Sequence, residues 1–176
     1  MMNYQQLLDL NKKRAIKQLA FITTDVDKAV KQWVELLNVG PWTIYTFCNE
    51  TMEDYTVNGK LVEEPFEFIV ALTNIGDLNI EVLQPVKGPN IYVDHLNTKG
   101  EGLHHFKEYI SLDDFPSYMA ELQDKGLEPI QSGWCGPDLH TYINTMPVMG
   151  FNYELGNCPP DIDIPEKYIR YYPEKD

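Results

Sequence analysis

Residues 15–42 read "AIKQLAFITTDVDKAVKQWVELLNVGPW", and the fold turns on this stretch. The apolar, partly alternating run over 15–23 predicts a strand. Thr24 or Asp25 can cap a helix, along which Val26, Val30, Trp33, Val34 and Leu37 fall at helical spacing. Gly40 followed by Pro41 predicts where that helix stops. "WTIYTFC" at 42–48 is rich in β-formers and predicts a second strand.

Working outward, "NETMEDYTVNGKLVEEP" is polar and carries Asn58-Gly59, a hairpin signal. "FEFIVALTN" and "LNIEVLQP" predict two strands joined by a turn at Ile75-Gly76-Asp77. Residues 16–85 therefore read β-α-β-β-β. After a connector with a short helix, "PNIYVDHLNTKG", the order restarts. "LHHFKEYI" predicts a strand. "SLDDFPSYMAELQDKG" predicts a helix capped by Ser111 or Asp113, with Pro116 in its first turn and Gly126 at its end. "LEPIQSGW", "HTYINTM" and "FNYELGN" predict three more strands. The two helix ends, "VELLNVG" and "AELQDKG", echo each other as a weak internal repeat.

The expected organisation is an N-terminal extension at 1–15, a first module at 16–86 and a connector at 87–101. A second module at 102–157 and an acidic tail at 158–176 follow. The expected class is α+β: two βαβββ modules paired into a curved mixed sheet that encloses a cleft. The modules form one domain.

Composition narrows the function. The 176 residues carry a net charge of −13, which disfavours nucleic acid and anionic membrane as partners. No apolar run reaches membrane-spanning length, and "MMNYQQLLDLNKKRA" lacks the apolar core of a signal peptide. The 3 cysteines, Cys48, Cys135 and Cys158, have no paired spacing and predict reduced thiols in a cytoplasmic protein. The closing "PPDIDIPEKYIRYYPEKD" reads as an extended wrap or a loose end. No phosphate loop, nucleophile elbow or HExxH stretch occurs.

Polar residues inside apolar strands cost energy unless partnered. Gln18 stands in the first strand of module one and Glu81 in its last; His104 and His105 stand in the first strand of module two and Glu154 in its last. Singly, each glutamate reads as a solvated strand position. At equivalent places in a repeat, with a histidine and an amide, they read as a ligand set for a divalent ion such as Mn, Co, Ni, Zn or Fe. Alternation allows one of His104 and His105 to face a cleft. If that is His105, Lys107 and Tyr109 face it too and Glu108 points away. A shifted register would bring in His104 instead, with Phe106 and Glu108. His95 reads as a surface residue, and His140 as a residue of the pocket rim or of the packed interior. Trp42, Tyr45, Phe47, Tyr55, Tyr142 and Tyr153 are candidates for an aromatic pocket.

The arrangement resembles the vicinal oxygen chelate superfamily of glyoxalases, epimerases, ring-cleaving dioxygenases and bleomycin-resistance proteins. The resemblance covers residues 16–157 and is carried by "IKQLAFITTDVDKAVKQWVELLNVGPW", "LNIEVLQP", "GPNIYVDHLNTKGEGLHHF" and "YINTMPVMGFNYELG". It is nearest to the methylmalonyl-CoA epimerase and glyoxalase-like branch. The resemblance implies Gln18, Glu81, His105 and Glu154 as metal ligands, although most relatives have His where Gln18 stands. An amide is a weaker donor than imidazole to late transition metals.

The implied activity is that of a metal-dependent isomerase or lyase. It would act through an enolate of a small α-carbonyl acid or thioester, with Glu154 or Glu81 as base. Glu63, Glu64 and Glu67 are further candidates for the base. Lys107, Tyr109 and Tyr45 are expected to bind substrate, and a homodimer is expected. The alternative is a small-molecule binding protein without chemistry. A ring-cleaving dioxygenase ranks third, because only one histidine stands at a matching position.

Overall fold

In the computed structural model, which describes residues 1–175, each apolar run forms the element its period implies. Asn3 caps α1 (Tyr4–Asn11) through its side chain, and β1 (Ile16–Ile22) follows. Asp25 accepts from the Lys28 N–H and caps α2 (Val26–Leu37). That helix stops at Asn38, in the left-handed conformation, rather than at Gly40. Asparagine tolerates that conformation at a helix end, so the chain turns two residues earlier than the glycine suggests.

Then come β2 (Trp42–Cys48), β3 (Glu53–Val57), β4 (Lys60–Leu61), β5 (Glu67–Ile75), β6 (Leu78–Lys87) and α3 (Ile91–Lys99). The rest is β7 (Gly102–Tyr109), α4 (Phe115–Gln123), β8 (Pro129–Cys135), β9 (Asp138–Ile143), α5 (Met146–Met149), β10 (Asn152–Gly156) and β11 (Ile169–Tyr172). The residue preceding α4 is Asp114, not Ser111 or Asp113. Its carboxylate is engaged by the Ser111 hydroxyl instead of the helix N–H groups.

Among the described residues the strands form one 11-stranded sheet, in the order β11-β2-β5-β6-β1-β7-β10-β9-β8-β3-β4. The two central strands, β1 and β7, pair antiparallel and join the two halves. Each half repeats one pattern: a parallel neighbour beside the central strand (β6 beside β1, β10 beside β7), then antiparallel strands outward. The Asn58-Gly59 hairpin forms as expected but crosses to the other half, where β3 pairs with β8 through Thr56↔Ser132 and Val57↔Gln131. The tail is a wrap, not a loose end. Ile164 is buried, and β11 pairs with β2 along Ile169↔Tyr45 to Tyr172↔Trp42. Hairpin and tail thus extend the curved sheet at both ends, covering the edges of β8 and β2 that would otherwise be open.

Two apolar clusters flank the sheet. On the convex side, Val26 and Val30 of α2 pack on Trp42, Ile44, Ala71, Ile80 and Val82. On the concave side, Phe47, Phe66, Phe68, Leu83, Tyr92 and Tyr142 surround Ala20 and Ile22. Trp42 therefore belongs to the convex core rather than to the cleft, because it starts its strand on the helix-covered face. No described helix is long and apolar enough to cross a membrane.

Candidate functional site

Strand register places the polar side chains. Gln18 stands opposite Lys107, and Lys107 opposite Glu154. One row over, Ala20 stands between Glu81 on β6 and His105 on β7, and His105 faces Asn152 on β10. Two adjacent rows across four central strands thus carry an amide, two carboxylates, an imidazole and an ammonium onto one concave surface.

The four residues Gln18, Glu81, His105 and Glu154 converge on one atom. His105 Nε2 lies 3.3 Å from Gln18 Oε1, 2.7 Å from Glu154 Oε2 and 3.8 Å from Glu81 Oε1. Its hydrogen-bond geometry favours Gln18, and Glu154 Oε2 is left as a buried oxygen with no hydrogen-bond partner. Gln18 is held in turn by its Nε2, which donates to Asn79 Oδ1 at 2.8 Å.

The histidine pair departs from simple alternation. Ala20 pairs with His105 but the next residue, Phe21, pairs with Leu103, so His104 is the extra residue of a β-bulge. A bulge turns both of its side chains toward the same side. His104 and His105 are both fully buried, with Nδ1 facing Nδ1 at 2.8 Å. His105 lies against Gln18, Glu81 and Glu154 beneath the cleft, and His104 lies behind it, turned to the same side by the bulge rather than to the opposite face. His95 is also buried, not on the surface, because its helix face packs on His104 at a ring separation of 4.8 Å.

Charge is compensated within the cluster. Lys107 Nζ lies 3.1 Å from Glu154 Oε1 and 3.3 Å from both carboxylate oxygens of Asp138. Burial alone would push the lysine down, but Glu154 and Asp138 outweigh it and hold the ammonium above its ordinary range. Burial would likewise raise Glu154; Lys107 and His105 outweigh it and hold this carboxyl well below its ordinary range. Glu81 behaves differently. Burial raises it to about 7, with repulsion from Glu154 adding and the attraction of His105 opposing. Burial also pushes His140 down to about 4. Two carboxyls a few ångströms apart thus have opposite tendencies at neutral pH, a pattern typical of acid–base sites.

Above this floor lies a cleft of about 480 Å³. Tyr45, Phe47, Phe68, Tyr92 and Tyr142 form its apolar wall, and His140 also lines it. The segment from Cys158 to Ile162 also lines it; along the chain its only mark is an acidic, proline-rich composition. Asp138, paired to Lys107, is a further cleft residue absent from the sequence reading. It lies at a strand start after a turn, where an aspartate looks like a turn residue.

Other candidates lie elsewhere. Tyr109 is 44% exposed and lies outside the cleft, because β7 ends there and its side chain leaves the sheet's concave surface. Glu108 points to the convex side, where Arg14 binds it and the Tyr153 hydroxyl donates to it at 2.7 Å. That places Tyr153 with Glu108, and Tyr55 packs on Phe66 in the core. Glu63, Glu64 and Glu67 do not line the cleft.

A concave sheet formed by two βαβββ halves, with polar side chains of both central strands at its floor, defines the vicinal oxygen chelate class of fold. The model of the Glyoxalase/Bleomycin resistance protein/Dioxygenase superfamily matches residues 17–145, and the chain belongs to that superfamily. Among solved structures, a hypothetical protein from Bacillus halodurans is similar at 16% identity and a TM-score of 0.57, covering 86% of this chain and 99% of its own. Methylmalonyl-CoA epimerase from Mycobacterium tuberculosis is similar at 13% identity and a TM-score of 0.55, over 82% of this chain and 88% of its own. A Streptomyces coelicolor methylmalonyl-CoA epimerase variant in complex with 2-nitronate-propionyl-CoA is similar at 18% identity and 0.55, over 86% and 98%. At these identities the likeness is one of fold. No curated protein matches the chain.

Proposed function

We propose that the protein is a divalent-metal-dependent isomerase or lyase that draws a proton from the carbon beside a carbonyl of a small molecule. One observation carries this reading. Glu154 Oε2, buried and without a hydrogen-bond partner, lies beside His105 Nε2, Gln18 Oε1 and Glu81 Oε1. A mixed set of imidazole, amide and carboxylate donors suits a divalent ion. Among the described residues no three His, Cys, Asp or Glu side chains form a group that could hold a metal ion by themselves; the proposed set includes the Gln18 oxygen.

Gln18, His105 and Glu154 are the residues that would hold the ion, with Glu81 at its edge. When bound, the ion supplies electrophilic polarisation of a substrate carbonyl and stabilisation of the enolate. The protein's own residues supply the rest. Glu81, whose carboxyl burial raises to about 7 in the metal-free protein, stands at the edge of the ligand set, placed to accept the α-proton and return it to another face or atom. Lys107 holds Glu154 ionised and keeps it from competing for that proton. Tyr45, Phe47 and Phe68 exclude water from the reacting carbon. Two of the similar structures are named as methylmalonyl-CoA epimerases, and an α-carbonyl acid or thioester is the substrate class this geometry would serve. A homodimer is the expected assembly.

A second reading, a binding protein without chemistry, is favoured by one feature: the Lys107 ammonium already sits 3.1 Å from Glu154. Elemental analysis of tag-free protein, before and after dialysis against Mn, Co, Ni, Zn and Fe(II), separates the two. About one ion per chain, lost in Glu154→Ala, supports the enzyme. Exchange of the substrate α-proton with deuterated water then identifies which carbonyl compounds react. No ion under any loading condition overturns the metal-dependent reading in favour of binding.

A further inference from the structure

The four histidines of the chain lie on or behind the cleft floor, and behind His105 two residues that the proposed chemistry does not use, His104 and Asn152, extend a polar line from it. From the cleft inward it runs His105, His104, Asn152. His105 Nδ1 faces His104 Nδ1 at 2.8 Å, and His104 Nε2 faces Asn152 Nδ2 at 3.5 Å. The line is closed to water: both imidazoles are fully buried and Asn152 is 4% exposed. His104 is walled by His95, Tyr92 and Tyr142 at ring separations of 4.8, 5.2 and 5.9 Å. Asn152 Oδ1 has no hydrogen-bond partner. The amide therefore presents one pole to His104 and leaves the other idle.

A neutral imidazole carries one N–H and one lone pair, so the contacts in this line fix one another. With the Asn152 N–H against His104 Nε2, that nitrogen is an acceptor and the His104 proton resides on Nδ1. His104 Nδ1 then donates to His105 Nδ1, and the His105 proton resides on Nε2, facing Gln18 and Glu154. In that arrangement His105 offers the cleft a proton and no lone pair. With the amide turned over, Oδ1 accepts from His104 Nε2–H. His104 Nδ1 then accepts from His105 Nδ1–H, and His105 Nε2 has its lone pair free. The two arrangements hold the same number of protons: the one released at His105 Nε2 is balanced by one taken up at His104 Nε2.

We infer that Asn152, acting through His104, sets which nitrogen of His105 carries its proton, and thereby whether His105 can present a lone pair to a cation in the cleft. Asn152 and His104 are positioning residues. The inference rests on the ion-binding reading for its use, but the tautomer control stands apart from it. Outer groups that orient a ligating histidine commonly change metal affinity about 10- to 100-fold when removed.

The test uses the full chain labelled with ¹⁵N histidine, with Zn²⁺ as a diamagnetic probe. Two-bond ¹H–¹⁵N spectra report which ring nitrogen of each histidine is protonated. Without metal, His105 is expected on Nε2–H and His104 on Nδ1–H. In Asn152→Asp, whose side chain only accepts, both are expected to change over with no metal added. Zn²⁺ is expected to produce the same change in the wild type, to bind Asn152→Asp more tightly, and to bind His104→Phe about tenfold more weakly. His104→Gln, whose oxygen can accept from His105 Nδ1–H, is expected to restore most of that loss. Unchanged tautomers in a folded Asn152→Asp overturn the inference. So does a folded His104→Phe that binds Zn²⁺ like the wild type. If Zn²⁺ fails to bind while Asn152→Asp still switches both rings, the inference holds and the metal-dependent reading is the one that fails.

Discussion

Glu81 is the residue whose removal discriminates most sharply between a functional and a purely structural cluster. It is 7% exposed, and burial raises its carboxyl from 4.5 to about 7. A carboxyl so displaced is favoured in its neutral form by about 3 kcal/mol, at about 1.4 kcal/mol per tenfold change in equilibrium. The sign follows from proton binding. Between the two values the folded chain binds more protons than the unfolded chain, so stability falls as pH rises through this window. The penalty is absent below about pH 4.5 and complete above about pH 7. Glutamine at this position cannot ionise and escapes it. Relative to wild type, Glu81→Gln should therefore gain about 2 to 3 kcal/mol between about pH 5 and about pH 8. A constant offset of about 1 kcal/mol or more is expected at every pH, because the new amide needs hydrogen-bond partners. The assay is urea unfolding of chelator-dialysed protein at the two pH values. A difference between wild type and variant that does not change with pH would show that Glu81 titrates normally, and would remove it as a base. The gain in stability should accompany a loss of α-proton exchange, since the same burial that destabilises the carboxylate makes it basic enough to act.

Three further outcomes follow from the same charges. Lys107→Met should destabilise the fold by about 3 to 5 kcal/mol at neutral pH, because it leaves Glu154 and Asp138 buried without their counter-charge. That loss should shrink as pH falls and the uncompensated carboxyls protonate, beginning above the ordinary carboxylate range because burial raises both, which urea titrations at several pH values would reveal. Arg14→Ala should cost about 1 to 3 kcal/mol by stripping Glu108 of its guanidinium while leaving ion binding in the cleft unchanged; thermal unfolding and Zn²⁺ titration read the two effects separately. Gln18→His should tighten Zn²⁺ or Co²⁺ at least about tenfold, as imidazole replaces an amide oxygen, measured by competition with a chromophoric chelator.

Much of the fold is legible along the chain because its signals are local. The helix of Val26, Val30 and Val34 follows from a 3.6-residue period, and the hairpin at Asn58-Gly59 from the conformation those two residues tolerate. The polar residues Gln18, Glu81, His105 and Glu154 stand out because each interrupts an apolar strand, and in the folded chain these four side chains lie together. Tyr109 does not follow. Alternation alone carries it to the cleft, whereas the strand ends at that residue and its side chain is exposed.

The sequence by itself thus determined the element order, the two-fold repetition of βαβββ, and which polar side chains would have to be accommodated inside strands. These depend on period, turn chemistry and the cost of burying polarity, all properties of neighbouring residues. The tertiary structure decided the rest. Only the pairing of β1 with β7 shows that His104 is an inserted residue, so that both histidines turn inward and form a line to Asn152. Only the packed cluster sets Glu81 and Glu154 apart, since burial raises Glu81 while Lys107 and His105 hold Glu154 low. Only the assembled sheet shows that the first-half hairpin pairs with β8 and that the tail lines the cleft. Register, charge environment and edge pairing are long-range quantities: they are fixed by which strands meet, and no local window of the chain contains both partners.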